Sequence, residues 1–294
     1  MNLWKAYKIG FRVFPGMSDH AGLTSQEIRE IAKNLLLFFY HLVYRIAPID
    51  YVRWREFSFA LEAIETYMPS PASILDISSP KLLPMTLAAN WRNSSVVSID
   101  ILESEVAYAR TAGKSLHLDN LTCERMDARY LRFPDNSYEL ITSISVLEHI
   151  APEKGGEEPV VREIHRVLKP NGIAIITVPF SSSYFAEFRD GIVYERIAQP
   201  DGNQFFQRFY DLNTLMERIV MASPMTLVSL GFIEERLFLK NPHKRLTHYI
   251  SGTWFRTMIF GPFYPVLSRI FLSKPKELIQ CMKPYLACLV MKKL

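Results

Sequence analysis

The chain has 294 residues, of which 49% are hydrophobic and 22% are charged, the balance of a protein that folds around a buried core. It contains 12 glycines and 18 prolines and carries a formal net charge of +4. This composition excludes an intrinsically disordered chain, a collagen-like repeat and a fibrous protein, and so small a positive charge does not indicate nucleic-acid binding.

Neither the cysteines nor the hydropathy pattern indicates a secreted or membrane-spanning protein. Cys123, Cys281 and Cys288 are odd in number and lack the C-x-x-C spacing, so neither a disulfide framework nor a zinc site is predicted. We find no secretory signal at the start of the chain. The most apolar stretches, residues 35–44 and 254–272, are too short or too interrupted to supply the about 20 apolar residues of a spanning helix. We therefore expect a cytoplasmic protein without a metal site.

Two helices are predicted at the front of the chain. Thr24 and Glu27 have the spacing of a capping box, which marks the start of the first helix. The second is predicted from Trp54 to Tyr67, where prolines end it. We interpret residues 1–70 as an N-terminal helical cap.

From Ser73 onward, short apolar runs alternate with helical stretches. Five strands are predicted here, at residues 73–77, 96–100, 123–126, 140–144 and 173–178. Helices are predicted between strands near residues 81–90, 104–113 and 157–168, and Lys169-Pro-Asn-Gly172 is a stop signal with a turn. Apolar strands without alternation, separated by helices, favour an α/β fold with a doubly wound parallel sheet that is covered on both faces.

The last third of the chain adds two strands and an insert. Residues 231–239 and 285–291 are the predicted sixth and seventh strands. The segment between them, about 241–284, is too long for a structureless loop, so we predict helices there. Its aromatic and basic residues leave two interpretations open: a helical lid on the sheet edge, or a surface that contacts lipid headgroups or an amphipathic substrate. Residues 71–294 are interpreted as one domain that contains this insert.

Polar residues stand at the ends of successive predicted strands. Asp76 lies at the end of the first strand, Asp100 ends the second, Asp127 follows the third and Ser143 lies at the end of the fourth. Ligands of doubly wound sheets bind at these carboxyl ends, and a carboxylate after the second strand can accept two hydrogen bonds from a ribose. The pattern therefore predicts a cofactor that contains adenosine. A nicotinamide-dependent oxidoreductase needs a Gly-x-Gly-x-x-Gly turn, which does not follow Asp76.

The order of the motifs resembles that of class I S-adenosylmethionine-dependent methyltransferases, in the small-molecule branch with a Leu-Glu-His segment. The resemblance covers about residues 73–180. The matching segments are Ile74-Leu-Asp76, Ser98-Ile-Asp100, Met126-Asp127-Ala128, Ser145-Val-Leu-Glu-His149 and Val167-Leu-Lys-Pro-Asn-Gly172. The resemblance implies a Rossmann-like, seven-stranded sheet whose last strand is antiparallel and lies beside the sixth.

The resemblance also implies a site for S-adenosylmethionine, with S-adenosylhomocysteine as the product. Asp100 would bind the ribose hydroxyls, and Ile101 would stack on the adenine. Asp127 would accept a hydrogen bond from the adenine amino group, while the Ala128 amide donates to the ring. Ser143 and its neighbours as far as Ser145 would line the methionine part. The alternative is that neither aspartate binds a cofactor. Asp100 would then be the N-cap of the following helix, and Asp127 would cap its own loop.

The first loop departs from the family pattern. The family has a glycine-rich turn after the first strand, where this chain has Ser78-Ser79-Pro80-Lys81. A helix that starts here still points its free amides at the site, so we assign Asp76, Ser78 and Ser79 to cofactor binding. Alternatively, the added side chains narrow the pocket, and the chain is a catalytically inactive methyltransferase-like binding module.

Three charged or titratable residues complete the predicted site. A basic residue about one helix before the first strand often reaches the cofactor's carboxylate in this family, which indicates Arg53 or Arg55; we assign Arg55, the alternative being a solvated helix face. Glu148 and His149 are the candidate catalytic pair, which is needed only if the acceptor must lose a proton. Their alternative role is to anchor the loop.

The resemblance predicts methyl transfer by direct displacement to a small or lipid-like acceptor. We expect no nucleic-acid partner. Peripheral membrane contact through the insert is kept as an open alternative, and the sequence gives no indication of the methylated atom or of the oligomeric state.

Overall fold

A computed structural model of the protein describes residues 48–190, 194, 203–237, 246–250 and 254–294. The predicted helix that begins near Thr24 lies outside the described residues, as does part of the insert. Within the described ranges, no helix is both long enough and apolar enough to cross a bilayer.

Strands and helices alternate along the described chain. The strands are β1 Ser73–Ile77, β2 Ser95–Asp100, β3 Leu121–Arg125, β4 Tyr138–Ile144, β5 Leu168–Pro179, β6 Phe185–Asp190, β7 Asn203–Phe209, β8 Thr226–Glu234 and β9 Pro284–Lys292. The helices are α1 Arg53–Tyr67, α2 Leu82–Asn90, α3 Glu103–Ser115, α4 Glu158–Val167, α5 Leu212–Leu215, α6 Thr247–Ile250, α7 Trp254–Phe260 and α8 Tyr264–Phe271. A 3-10 turn, Leu147–His149, follows β4, and two more lie at Gly261–Phe263, between α7 and α8, and at Leu278–Gln280.

Seven of these strands form one sheet in the order β3-β2-β1-β4-β5-β9-β8. The first five pair in parallel, and β9 pairs antiparallel with β5 on one side and with β8 on the other. The predicted doubly wound fold with an antiparallel last strand is therefore confirmed. The strand order reverses between β1 and β4, which leaves a crevice at the carboxyl ends of these two strands.

The sheet separates two buried apolar clusters. Successive residues of β5 alternate between them: Ile173 and Ile175 pack in one cluster, and Ala174 and Ile176 pack in the other. The first cluster also contains α1, α2 and α3, and the second contains α4 and α5. Because both faces are covered, the strands are apolar without alternation, which is the pattern in the sequence.

Two details of the sequence-based prediction are wrong. The sixth strand of the sheet, β8, begins at Thr226 and ends at Glu234, because it starts where it meets β9 rather than where the apolar run begins. The second error concerns β6 and β7, which form a separate two-stranded antiparallel sheet that was not predicted. Their mixed polar and aromatic sequences lack the buried apolar runs of the main sheet.

The predicted turn at residues 169–172 is present as an irregularity inside β5. Tyr138 of β4 pairs with Leu168, whereas Leu140 pairs with Ile173, so the intervening residues of β5 are looped out. Asn171 adopts φ +66°, the left-handed conformation that asparagine tolerates in turns. In the described part of residues 241–284, the structure contains α6, α7 and α8.

Candidate functional site

A cleft of about 400 Å³ lies at the carboxyl ends of β1 and β2 and beside the segments that follow β3 and β4. This is the position of the strand switch point, where doubly wound sheets bind their ligands. Seven of the residues predicted for the site line the cleft: Ser78, Ser79, Asp100, Ile101, Asp127, Ala128 and His149. The remaining predicted residues, Asp76, Ser143, Glu148 and Arg55, lie elsewhere.

The loop after β1 is built on a serine in a glycine-like conformation. Ser78 adopts φ +49°, and both its amide and its hydroxyl donate to the carbonyl of Ile99 in β2, at 2.9 and 3.2 Å. The Ser79 hydroxyl accepts a hydrogen bond from the amide of Ile144, at 3.1 Å. Both hydroxyls therefore hold the loop against the sheet.

Asp76 lies beneath the cleft rather than in its wall. Its buried carboxyl accepts hydrogen bonds from the hydroxyls of Thr142 on β4, at 2.8 Å, and Ser98 on β2, at 3.2 Å. Burial raises the pKa of Asp76, although the hydrogen bonds from Ser79, Thr142 and Ser98 act in the opposite direction. Asp76 thus joins three neighbouring strands. Ser143 is also fully buried and does not line the cleft.

Asp100 lines the cleft at the end of β2, with both carboxylate oxygens engaged. Oδ1 accepts a hydrogen bond from the amide of Leu102 at 2.9 Å, and Oδ2 forms an ion pair with the ammonium of Lys81. Only about a tenth of either side chain is exposed. The lysine of the atypical loop therefore occupies the carboxylate predicted to bind ribose, a pairing that the sequence analysis missed.

The far end of the cleft is formed by the segment that follows β3. The carboxylate of Asp127 is held by Arg129, whose backbone amide donates at 2.9 Å and whose guanidinium forms an ion pair at 2.6 Å. Partial burial raises the pKa of Asp127, but the hydrogen bonds from Arg129 outweigh this effect and lower the pKa below its ordinary value. Asp127 is therefore ionised at neutral pH, with Ala128 beside it in the wall.

The two arginines of α1 point to different places. Arg53 lines the cleft and pairs with Glu56. Arg55 instead donates to backbone carbonyls at the end of α8, those of Ser268, Arg269 and Leu272, at 3.0 to 3.3 Å. The structure therefore brings Arg53 to the site and not Arg55, because residues two positions apart on a helix face different directions.

A buried carboxylate on α1 supports the loop after β4. Glu56 Oε1 accepts hydrogen bonds from the hydroxyls of Ser145 and Thr177, at 2.6 and 2.7 Å, while Oε2 pairs with Arg53. Ser145 adopts φ +52° and lines the cleft. The sequence analysis missed Glu56, although its place among the apolar residues of the predicted helix was a signal that it is buried.

A second, smaller pocket of about 170 Å³ adjoins the cleft. Arg53, Ser145 and His149 line both cavities, so the two are contiguous. The smaller pocket adds Asp50, Glu148 and Gln207 to its wall, together with a few apolar residues. It therefore places several hydrogen-bonding groups next to the cleft.

Glu148 and His149 have distinct environments in this pocket. Burial raises the pKa of Glu148 to about 8, and its Oε2 has no hydrogen-bond partner among the described residues. Nδ1 of His149 lies 2.8 Å from the carbonyl of Phe206 and 3.0 Å from the hydroxyl of Tyr194. Because a carbonyl can only accept, we assign the ring hydrogen to Nδ1. In the neutral ring, Nε2 is then the acceptor, and it lies 3.7 Å from Glu148 Oε1.

The loop that carries His149 is fixed by a buried arginine of β7. Arg208 pairs with the buried Glu157 at 2.8 Å. Its guanidinium also donates to the carbonyls of Leu147, Ile150 and Pro152, at 2.7 to 3.0 Å. The sequence analysis did not single out Arg208, because its partners are about fifty residues or more away and no local pattern reports them.

Comparisons with known proteins agree with this architecture. Residues 75–176 match a family model described as a methyltransferase domain. A comparison with curated protein sequences gives no match. The match spans β1 to the end region of β5, which are the strands that build the cleft, and it supports a methyltransferase domain there.

Three solved structures illustrate the similarity of the fold. A SAM-dependent methyltransferase from Methanosarcina mazei is 16% identical, with a TM-score of 0.50 over 79% of this chain and 96% of that chain. Coclaurine N-methyltransferase bound to N-methylheliamine and SAH is 14% identical, with a TM-score of 0.52 over 81% and 70%. The 1,6-didemethyltoxoflavin-N1-methyltransferase from Burkholderia thailandensis is 13% identical, with a TM-score of 0.51 over 94% and 92%. At these identities the likeness shows the methyltransferase fold.

Proposed function

We propose that the chain is a class I S-adenosylmethionine-dependent methyltransferase that acts by direct displacement on a small or lipid-like acceptor. The observation that carries the proposal is the cleft at the strand switch point. Asp100, Ile101, Asp127 and Ala128 converge on it, and all four lie inside the segment that matches a methyltransferase domain.

The residues of the cleft fit the nucleoside part of this cofactor. The carboxylate of Asp100 can accept hydrogen bonds from the ribose hydroxyls, and Asp127 can accept one from the adenine amino group. Ile101 is 47% exposed and offers an apolar surface to a flat ring. The volume of about 400 Å³ lies within the range of about 300–1,000 Å³ that small-molecule sites occupy.

Two cations, Arg53 and Lys81, affect how the charged groups of the cofactor can bind. Arg53 lines the cleft where it meets the second pocket, and its five N–H groups leave donors for a carboxylate beside Glu56. Lys81 opposes binding, because its ammonium holds Asp100. A lysine side chain is flexible, so Lys81 can leave Asp100 by changing its own rotamer and the site still fits the cofactor.

The second pocket is the proposed acceptor site, because it shares three lining residues with the cleft. Glu148 Oε2 is buried in its wall without a partner among the described residues. A hydroxyl or an amine of the acceptor would supply the missing hydrogen bond. We therefore propose that the methylated atom is an oxygen or a nitrogen that carries a proton.

S-adenosylmethionine supplies an electrophilic methyl group, which leaves its sulfur as the bond to the acceptor forms. The pocket residues hold the acceptor in line for this displacement. His149 takes the proton that the acceptor loses, because Nε2 is the acceptor nitrogen when Nδ1 donates to Phe206. Arg208 acts through the loop: it fixes the carbonyls on both sides of His149 and so positions the ring.

A specific observation favours one alternative, a catalytically inactive methyltransferase-like binding module. Lys81 occupies the carboxylate that would bind ribose, and serine side chains replace the glycine-rich turn. If the ion pair does not open, the fold remains but the cofactor does not bind. Cofactor affinity separates the two functions.

The first test is calorimetric titration of S-adenosylmethionine and S-adenosylhomocysteine into the protein. We expect saturable binding of both, and we expect Asp100→Ala to weaken it about 100-fold, since hydrogen bonds to a charged group are lost. Asp119→Ala, which removes an exposed carboxylate, is the matched control and should bind like the wild type. The absence of heat with either compound would contradict the proposal and favour the binding module.

A second test addresses the proposed acceptor chemistry. Formation of S-adenosylhomocysteine is measured with panels of primary amines and of alcohols, using the wild type and His149→Gln. We expect turnover in His149→Gln to fall at least about 100-fold, as is typical for loss of a general base. Cofactor affinity should change little. Equal turnover in the two proteins would assign His149 to anchoring the loop.

A further inference from the structure

We propose that the insert docks this protein on membranes that contain anionic lipid, through an apolar stripe along α7 and α8. The stripe consists of Phe255, Ile259, Phe263, Val266 and Ile270, which are 44% to 58% exposed. Single exposed apolar side chains are ordinary, but five in a row form a patch of the kind that marks an interaction site. The proposal is independent of the proposed methyl transfer.

The stripe follows the periodicity of a helix surface. Phe255 and Ile259 are four positions apart on α7, and Val266 and Ile270 are four positions apart on α8, so each pair lies on one side of its helix. Phe263 belongs to the 3-10 turn Gly261–Phe263 that joins the two helices. The other side of α8 packs on the protein: Tyr264 and Ser268 are buried, and the Tyr264 hydroxyl donates to the carbonyl of Ile250 at 2.9 Å. Because one side is held by the protein core, the apolar stripe is presented to solvent in a fixed orientation.

The charge of the surrounding segment complements an anionic surface. From Arg236 to Lys276, with both included, the sequence contains no aspartate or glutamate and eight lysines and arginines. An apolar face flanked by basic residues suits the boundary between lipid headgroups and acyl chains, where anionic lipids attract the cations.

The positive charge is concentrated at the end of α8. Arg55 donates to the carbonyl of Arg269 at 3.0 Å, and the amide of Arg236 donates to the carbonyl of Phe271 at 2.7 Å. Burial lowers the pKa of Arg55, and the like charges of Arg236 and Arg269 lower it further, in keeping with these backbone contacts. They lie next to Ile270, the last residue of the stripe.

This arrangement favours a membrane over a second copy of the chain. A symmetric dimer built on the stripe would bring together two copies of a segment that carries only positive charges, which is electrostatically unfavourable. An anionic bilayer brings the opposite charge to the clusters and an apolar interior to the stripe.

The test is flotation of the full-length protein with vesicles. We expect binding to vesicles that contain phosphatidylserine in phosphatidylcholine, weak binding to phosphatidylcholine alone, and loss of binding as salt is raised. Phe255→Ser combined with Phe263→Ser should lower the partition coefficient at least about tenfold. Arg236→Glu and Arg269→Glu should each lower it at least about fivefold.

Matched controls use an exposed apolar residue and an exposed arginine elsewhere. Met221→Ser and Arg162→Glu should partition like the wild type, and circular dichroism should show that all variants are folded. Equal binding to both vesicle types, or undiminished binding of the stripe variants, would overturn the proposal. A concentration-dependent dimer in light scattering, abolished by Phe263→Ser, would overturn it in favour of self-association.

Discussion

Two serines on either side of the strand switch point share one backbone conformation but are held in different ways. Ser78, after β1, and Ser145, after β4, have φ values of +49° and +52°. The hydroxyl of Ser78 donates to a backbone carbonyl, that of Ile99. The hydroxyl of Ser145 donates to the buried carboxylate of Glu56, and its amide donates to Thr177.

The stronger hydrogen bonds of Ser145 identify the loop that follows β4, here called the β4 loop, as the rigid support of the site; the loop that follows β1 is called the β1 loop. A left-handed non-glycine residue costs about 1–2 kcal/mol, which its hydrogen bonds must offset. Bonds to a buried carboxylate are stronger than bonds to a carbonyl. The β1 loop has weaker anchors, and it is also where Ser-Ser-Pro-Lys replaces the glycine-rich pattern. The comparison therefore predicts that changes in the β4 loop affect stability and that changes in the β1 loop affect ligand binding.

The largest expected effect is the loss of Glu56. Glu56→Ala leaves the hydroxyls of Ser145 and Thr177 without their acceptor and removes the partner of the partly buried Arg53. We expect the free energy of unfolding to fall by about 3 kcal/mol, measured by guanidinium chloride denaturation. Glu62→Ala, on the exposed side of the same helix, should change it by less than about 0.5 kcal/mol. A loss below about 1 kcal/mol in Glu56→Ala would contradict the role of the β4 loop as the rigid support.

The second effect is a pH dependence of the free energy of unfolding that arises from Glu148, which follows β4. Burial raises the pKa of Glu148 from its ordinary 4.5 to about 8, so the folded state retains a proton that the unfolded state has already released. The contribution of Glu148 to the free energy of unfolding is therefore fully present below pH about 4.5 and is lost as the pH rises to about 8. From pH 5 to pH 8 we expect a loss of about 3 kcal/mol from this group, measured by denaturation at several pH values.

The matched variant for this prediction is Glu148→Gln, which has a similar shape and does not titrate. Its stability should depend less on pH than that of the wild type, with the difference between the two curves growing from pH 5 to pH 8. Parallel curves would show that Glu148 does not carry the pH dependence.

The third effect tests the two serines against each other. Ser145→Gly relieves the backbone but loses a hydrogen bond to a carboxylate, so we expect a net loss of about 1–2 kcal/mol. Ser78→Gly loses only a bond to a carbonyl and gains backbone freedom, so the change should stay within about 0.5 kcal/mol. Thermal unfolding of both variants measures these changes in stability. Equal losses of stability in Ser145→Gly and Ser78→Gly would show that the two loops are anchored equally strongly.

The succession of strands and helices and most of the cleft could be predicted from the sequence, and the antiparallel last strand followed from the family resemblance. The strands β1 to β5 are short apolar runs because the sheet is buried on both sides, and this pattern is local. Asp100 and Asp127 follow from the position of each strand end. Of the serines predicted to line the cleft after β4, Ser145 does so, whereas the side chain of Ser143 is buried in the sheet.

The contacts that support the site could not be predicted, because they join residues far apart in the chain. Glu56 meets Ser145 and Thr177 across 89 and 121 positions. The choice between Arg53 and Arg55 depends on which side of α1 faces the sheet, and the sequence of the helix alone does not fix this orientation. The place of Glu56 among apolar residues indicates that it is buried, but no local signal identifies its partners Ser145 and Thr177.

The smallest expected effect concerns Lys81, the cation that distinguishes the β1 loop. Lys81→Met removes the ammonium that occupies one oxygen of Asp100, so that oxygen becomes available to the ribose without first breaking an ion pair. We expect S-adenosylmethionine to bind about tenfold more tightly to this variant, in calorimetry at pH 8 and fixed ionic strength, because one charge-assisted hydrogen bond no longer competes. Lys114→Met, an exposed lysine of α3, is the control and should leave the affinity unchanged. Weaker binding in Lys81→Met would mean that Lys81 stays in place and contacts the cofactor itself.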